Sequence, residues 1–409
     1  MCSNFRIAGE FEPQKSVLTA WPLVPYSAPG LNVDEVEADI VSALIGEVEV
    51  LVSCYDESVK ERASKALSER GVDIRKIRFV IYPSPIIYPR DFGAEVMTDG
   101  RGSGMLAKFR FNTYGFYAED HPTSKLLASF AEFHARHVGI EKSIAANLIS
   151  EGGDREFNGR GVMMSIVDTE LRKRNPDQSL DTLEKEFKRV LNLEKIIWLP
   201  CGTYDDENPF DGPIPSEDGN FTSYRASSAN GHIDEMCRFV DAGTVLLARI
   251  SREEADKSEL HALNKKRLDQ AYEVLKEECD AEGKPLKIIT MPVPEPIYLD
   301  IAPEDDAYAS WAEEGREYAG MLLNGQPFPS GKMNVLPALS YCNFLVANGI
   351  VLAQKYYRDG MPAEIKRKDE EAARVLKDVF PGRKIVPVFT LPLNLYGGGI
   401  HCNTRNVPA

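Results

Sequence analysis

The chain has 409 residues, 43% of them hydrophobic and 27% charged, with 48 Lys+Arg against 63 Asp+Glu and a formal net charge of −15. This is ordinary globular composition, long enough for two or three domains or for one large pseudo-repeat. The acidic balance disfavours nucleic acid and anionic membrane as partners and favours a cationic ligand. No apolar run approaches the ~20 residues of a membrane-spanning helix. The opening Met1-Cys2-Ser3-Asn4-Phe5-Arg6 lacks the basic and apolar regions of a secretory signal, so a cytoplasmic location is expected. Seven cysteines at positions 2, 54, 201, 237, 279, 342 and 402 show neither Cys-x-x-Cys nor zinc spacing, so neither disulfides nor a bound metal is expected.

In chain order, the helical period of apolar residues predicts helices over 33–44, 125–137, 180–190, 253–279 and 364–379. Apolar β-rich runs at 48–52, 195–199, 287–291 and 384–388 read as strands. Between them recurs a hairpin signal: two apolar runs flanking a turn that ends at Gly100, Gly159, Gly243 or Gly349. Asn-Gly and Asp-Gly at such places predict type I′ turns, in which both central residues take positive φ. Strand, hairpin and helix thus alternate, predicting an α/β fold of about five modules in a single domain spanning 1–409, whose loops converge on one site. The acidic stretch 303–318 reads either as a lid or as a solvated helix.

Five polar motifs sit at the edges of these elements: Thr19-Ala20-Trp21-Pro22, Tyr88-Pro89-Arg90-Asp91-Phe92-Gly93, Glu151-Gly152-Gly153-Asp154, Asn230-Gly231-His232-Ile233-Asp234-Glu235 and Gly397-Gly398-Gly399-Ile400-His401-Cys402-Asn403-Thr404. Cys402, behind three glycines that let backbone approach a ligand, is a candidate nucleophile as thiolate. On a strand, His232 and Asp234 would share one face, the imidazole as general acid and base and the carboxylate holding a cation. Taken singly, each has an alternative: a buried core cysteine, a satisfied His–Asp pair, a structural Arg90–Asp91 ion pair, a Glu151 that ends a strand. Taken together, a cysteine, a histidine and several carboxylates suit a planar cation, above all a guanidinium gripped bidentately with its carbon presented to sulfur. Gly325 to Met333 mimics a phosphate-binding loop but has five residues between its glycines and Met where Ser or Thr is required, so no nucleotide site is supported.

These residues resemble the guanidino-group-modifying pentein superfamily, and most closely its agmatine deiminases and bacterial-type peptidyl-arginine deiminases. The likeness covers nearly the whole chain. Besides the motifs above it includes Glu10-Phe11-Glu12-Pro13, Phe111-Asn112-Thr113-Tyr114-Gly115, Arg174-Asn175-Pro176 and Ser340-Tyr341-x-Asn343-Phe344. The resemblance implies a five-bladed, pseudo-fivefold α/β propeller with no cofactor, often dimeric. It implies Cys402 as nucleophile, His232 as general acid/base hydrogen-bonded by Glu151, and Asp91 and Asp234 as guanidinium ligands. Tyr88, where the family usually has Trp, joins Trp21 and Arg405 as candidate substrate-binding residues. Arg405, where Gln is common, would suit a substrate carboxylate, as would Arg155 or Arg160. The reaction expected is deimination of a small guanidino amine, agmatine first. A guanidino acid as substrate, amidino transfer, or a non-catalytic binding protein of this fold are the alternatives.

Overall fold

A computed structural model describes residues 4–28 and 30–409, together with the side chains of all but Glu314 and Glu317 in that range. Met1–Ser3, and with them half of the opening segment considered for a signal, lie outside the described residues. Among the described residues six sheets are formed. In five of them an antiparallel pair is extended by a parallel strand reached through a helical crossover. The pairs are Glu95–Thr98 with Gly104–Arg110, Glu156–Phe157 with Val162–Ile166, Cys237–Phe239 with Thr244–Arg249, and Leu345–Ala347 with Ile350–Lys355. The fifth joins the chain ends, Gln14–Ala20 against Thr404–Pro408.

The predicted helices form at Val33–Leu44, Leu180–Leu191 and Ala363–Val379. The other two predicted runs each divide: Pro122–Ala128 from Phe130–Val138, and Arg252–Ala255 from Glu259–Leu275. The second break is chemical: Ser251 and Glu254 close a capping box, and Ser258 then caps a new helix through His261 N. Helix Leu180–Leu191 shows the packing logic. Leu183, Phe187, Val190 and Leu191 form one fully buried stripe against Met163 and Ile196 of the adjacent sheet. Cutting Phe187 to Ala would cost roughly 3–5 kcal/mol.

Two local expectations fail. All four hairpins form, but none has two consecutive positive φ values. At the two-residue turn 348–349 only Asn348 is left-handed (φ 50°), and the loops at 99–103, 158–161 and 240–243 are longer than two residues. The 303–318 stretch is not a free solvated helix. Helix Asp306–Gly315 sinks Trp311 into a cluster with Phe210, Leu322 and Leu395, over a sixth sheet of Ile214–Pro215, Phe221–Arg225, Met333–Leu336 and Leu299–Ile301. Among the described residues no helix is long and apolar enough to cross a membrane. Cys54, Cys201, Cys237, Cys279, Cys342 and Cys402 are all free.

Candidate active site

Each of the five antiparallel strand pairs is entered through a short turn, and those five turns carry the polar residues of one buried site. Asp91 lies in Pro89–Phe92 before Glu95–Thr98, and Glu151 sits at the edge of Gly152–Asp154 before Glu156–Phe157. His232 and Asp234 stand at Ile233–Glu235 before Cys237–Phe239, and Cys402 in Ile400–Asn403 before Thr404–Pro408. The fifth turn, before Leu345–Ala347, contributes Asn343, a residue of the sequence motifs to which no role had been given. His232 and Asp234 are thus brought together by a tight 3₁₀ turn rather than by the alternation of a strand, which corrects the local expectation while keeping the pair.

At the centre, Cys402 Sγ lies 3.5 Å from Asp234 Oδ2 and 3.9 Å from Glu235 Oε1, and accepts from Asn343 Nδ2 at 3.1 Å. Asn343 Nδ2 also donates to Glu235 Oε1 at 2.8 Å, while its Oδ1 accepts from His401 N at 2.8 Å. One carboxamide therefore fixes the turn, the thiol and a carboxylate together. His232 is fully buried, with Nδ1 3.6 Å from Asp91 Oδ1 and Nε2 3.4 Å from Glu151 Oε2. Both distances exceed a tight hydrogen bond, and neither ring nitrogen has a hydrogen-bond partner. Asp91 is oriented by Gly153 N at 2.9 Å and by the Tyr114 hydroxyl at 3.0 Å. Asp234 Oδ1 is buried with no donor at all.

Glycine is required where these groups crowd. A Cβ on Gly153 would stand 2.5 Å from His232 Nδ1, 2.9 Å from Asp91 Oδ1 and 3.1 Å from Asp234 Oδ2, filling the space the three enclose. One residue earlier, a Cβ on Gly152 would strike the Arg90 carbonyl oxygen at 2.0 Å.

Charge sets the protonation pattern. Burial by itself would depress His232, but Asp91, Glu151 and Asp234 outweigh it and raise the imidazole to about 10, so it is cationic at neutral pH. Burial pushes the Cys402 thiol well up, and the neighbouring Asp234, Glu235 and Asp91 push it further. Burial likewise raises Asp91 against the pull of His232, and raises Glu235 well above the carboxylate range with Asp234 adding to it. Glu151 is held low against burial by Arg174, whose Nε meets both carboxylate oxygens at 2.8 Å. Arg174 closes the π-helical segment Asp168–Arg174, a rare form that recurs at functional sites. Asp206 braces the same region by accepting from the backbone N–H groups of Ala229, Gly231 and His232.

Tyr88 lies against the nucleophile loop. A Cβ on Gly398 would be 2.8 Å from its ring and 3.0 Å from Cys402 Cβ, and its hydroxyl donates to Leu393 O at 3.1 Å. Trp21 is buried in the same apolar cluster as Tyr88, Ile87 and Cys402. Arg405 departs from expectation. Its guanidinium is buried behind the Gly152 turn, with Nη1 donating to Arg90 O at 2.8 Å and Nη2 3.0 Å from Glu95 Oε2. It serves the interior and is not offered to a ligand. Arg155 pairs with the same Glu95, and Arg160 sits exposed at a hairpin tip.

Asp234, Glu235 and Cys402 alone, among the described residues, cluster tightly enough to hold a metal ion. These are the groups that face the thiol, and the positive His232 lies beside Asp234.

The model of the Porphyromonas-type peptidyl-arginine deiminase family matches residues 6–215 and 221–408. An agmatine deiminase of Pseudomonas aeruginosa (strain LESB58) is 28% identical over 418 residues, 99% of this chain and 96% of that one. One from Medicago truncatula is 26% identical over 422 residues, 99% and 97% of the two chains. A solved agmatine deiminase of Enterococcus faecalis superposes with a TM-score of 0.74 at 22% identity, covering 99% of this chain and 96% of that one. A family model matched over residues 6–215 and 221–408, a shared mixed α/β fold and a buried Cys–His–carboxylate centre converge: this chain belongs to the Porphyromonas-type peptidyl-arginine deiminase family.

Proposed function

We propose that this protein is a C–N hydrolase that deiminates a small guanidino amine, agmatine first, yielding N-carbamoylputrescine and ammonia. The observation that carries this reading is the buried, donorless Asp234 Oδ1 on a carboxylate that also touches the Cys402 thiol. A buried carboxylate oxygen without a donor is costly unless a cation supplies one, and a guanidinium supplies two N–H groups in a plane. Asp91 offers a second carboxylate beside His232.

The chemistry follows from the protonation pattern. The bound cation offsets the carboxylates that keep Cys402 protonated, the thiol proton passes to solvent, and the thiolate attacks the guanidino carbon, forming an S–C bond. Cationic His232 gives its proton to the departing nitrogen, the C–N bond breaks, and ammonia leaves an S-alkylthiouronium. Neutral His232 then takes a proton from water as its oxygen attacks the same carbon. The S–C bond breaks as the hydroxyl proton of the intermediate passes to the departing sulfur, releasing the ureido product and the Cys402 thiol. Glu151, itself held by Arg174, keeps the imidazole in place through both steps.

An amine is favoured over a guanidino acid because Arg405 and Arg155, two of the arginines the sequence offers for a carboxylate, are committed to Glu95. The similarity to agmatine deiminases supports the same choice. In this reading the five repeated modules stand around the site as a five-bladed, pseudo-fivefold propeller in one 1–409 unit. The enzyme acts in the cytoplasm as a possible homodimer, without a cofactor. Ammonia release from agmatine by the purified protein, absent in Cys402→Ala, tests the proposal.

A further inference from the structure

Asp234 is held from behind. Its Oδ2 accepts from His401 Nδ1 at 2.7 Å, and the opposite ring nitrogen, Nε2, lies 2.9 Å from Glu10 Oε2. His401 is 3% exposed, so water does not compete for either contact. Glu10 is saturated in turn. Its Oε1 accepts from Arg238 Nη2 at 3.0 Å and from Val346 N at 2.9 Å, and its Oε2 also accepts from Arg90 Nη2 at 3.2 Å. The His401 backbone is pinned as well, its N–H by Asn343 Oδ1 and its carbonyl by Arg90 Nε at 3.1 Å.

Two ionised carboxylates accept and do not donate, so a ring bonded to both offers each of them an N–H. Asp234 is held below its ordinary value against burial, first by the His401 hydrogen bond, and Glu10 far below its own by His401 and Arg238. A carboxylate doubly anchored on one oxygen leaves the other, Oδ1, bare and fixed in direction beside the thiol.

Resting on the deiminase reading above, we infer that His401 and Glu10 are positioning residues: a Glu10–His401–Asp234 chain keeps Asp234 ionised and aims its free oxygen at the cationic group of the ligand. The sequence motifs contain both residues, but the proposed reaction gives neither a chemical step. The chain also explains why the N-terminal segment, through Glu10, reaches the turns that carry Asp91 and Cys402.

The test is the selectivity of Cys402 alkylation, which needs no knowledge of the natural substrate. 2-Chloroacetamidine carries an amidinium; 2-chloroacetamide is neutral and of like size. Both form an S–C bond at Cys402 with loss of chloride, and intact mass gives each rate. Wild-type protein reacts faster with the cation. In His401→Ala that cation-to-neutral ratio falls about tenfold or more, the scale of a lost charge-assisted hydrogen bond. His401→Asn, whose amide N–H can reach toward Asp234 as Nδ1 does, recovers a large part of the ratio. Glu10→Gln lowers it about threefold or more and serves where His401→Ala does not fold. A folded His401→Ala that keeps the wild-type ratio, or a Glu10→Gln that leaves it unchanged, overturns the inference. A wild-type ratio near one contradicts the cation-binding reading itself, before either variant is made.

Discussion

Cys402 Sγ stands 3.5 Å from Asp234 Oδ2, a buried thiol whose ionisation is opposed first by burial and then by that carboxylate. Reactivity is thereby conditional on the ligand. Without a cation the thiol stays protonated and weakly nucleophilic, and with one the electrostatic penalty on the thiolate is offset.

Alkylation of the free enzyme reads this directly. Because the folded thiol titrates above its ordinary value, its reaction with iodoacetamide at pH 7 is slower than that of an ordinary cysteine and rises only at strongly alkaline pH. Asp234→Asn removes a negative neighbour and speeds the reaction at pH 7, even as it disables turnover. A fast wild-type reaction at pH 7 runs against the account.

Substitution of the proposed guanidinium ligands is expected to fall on catalysis. Asp91→Asn keeps the acceptor for Gly153 N and Tyr114 but removes the charge. It should lower kcat/KM by about 100-fold or more, the ~3 kcal/mol scale of a buried charged partner. Near-normal kcat/KM in this variant removes Asp91 from the site.

Arg405 separates stability from specificity. Arg405→Gln leaves Glu95 with only part of its buried cationic company, and breaking such a pair costs about 3–5 kcal/mol. Thermal denaturation should therefore show a lower Tm, while the preference between agmatine and guanidinobutyrate stays as in wild type. A gain or loss of selectivity for the acid would restore Arg405 to the ligand.

Stability should decline with rising pH because buried acids are held protonated. Burial raises Glu170 to about 8, against the pull of Arg155 and Ser150. A folded-state value above the unfolded one means that the contribution is whole below about pH 4.5 and is lost as pH rises through 8. Burial raises Asp206 to about 6, so the same loss there comes earlier. Glu170→Gln preserves the acceptor for Ser150 Oγ and should flatten the fall in Tm between pH 6 and 9. An unchanged slope contradicts this assignment.

Much of the module was readable because hairpin and helix signals are local. The apolar stripe of Leu180–Leu191 and the paired runs around residue 348 depend on near neighbours alone. The turn geometry was not readable: whether Asn348 or Gly349 takes positive φ is decided by contacts with Gln14 and Glu47, over three hundred residues away. Cys402, His232, Asp91, Asp234 and Glu151 stood out because polar residues beside glycine interrupt apolar runs. Asn343, Arg174, Asp206 and Glu10 gave no comparable signal of role, since each acts by holding another residue across a module boundary. Arg405 misled for the same reason. An arginine next to a nucleophile motif reads as a ligand group until the strand register turns it inward, onto Glu95.

Ammonia release from purified protein separates an amine substrate from an acid one. The panel is agmatine, arginine, N-acetylarginine, guanidinobutyrate, guanidinopropionate and a short peptide ending in arginine, with Cys402→Ala as control. Preferred turnover of agmatine, lost in a folded Cys402→Ala, is the predicted result. Preference for a carboxylate-bearing guanidine, or activity surviving without Cys402, would contradict it.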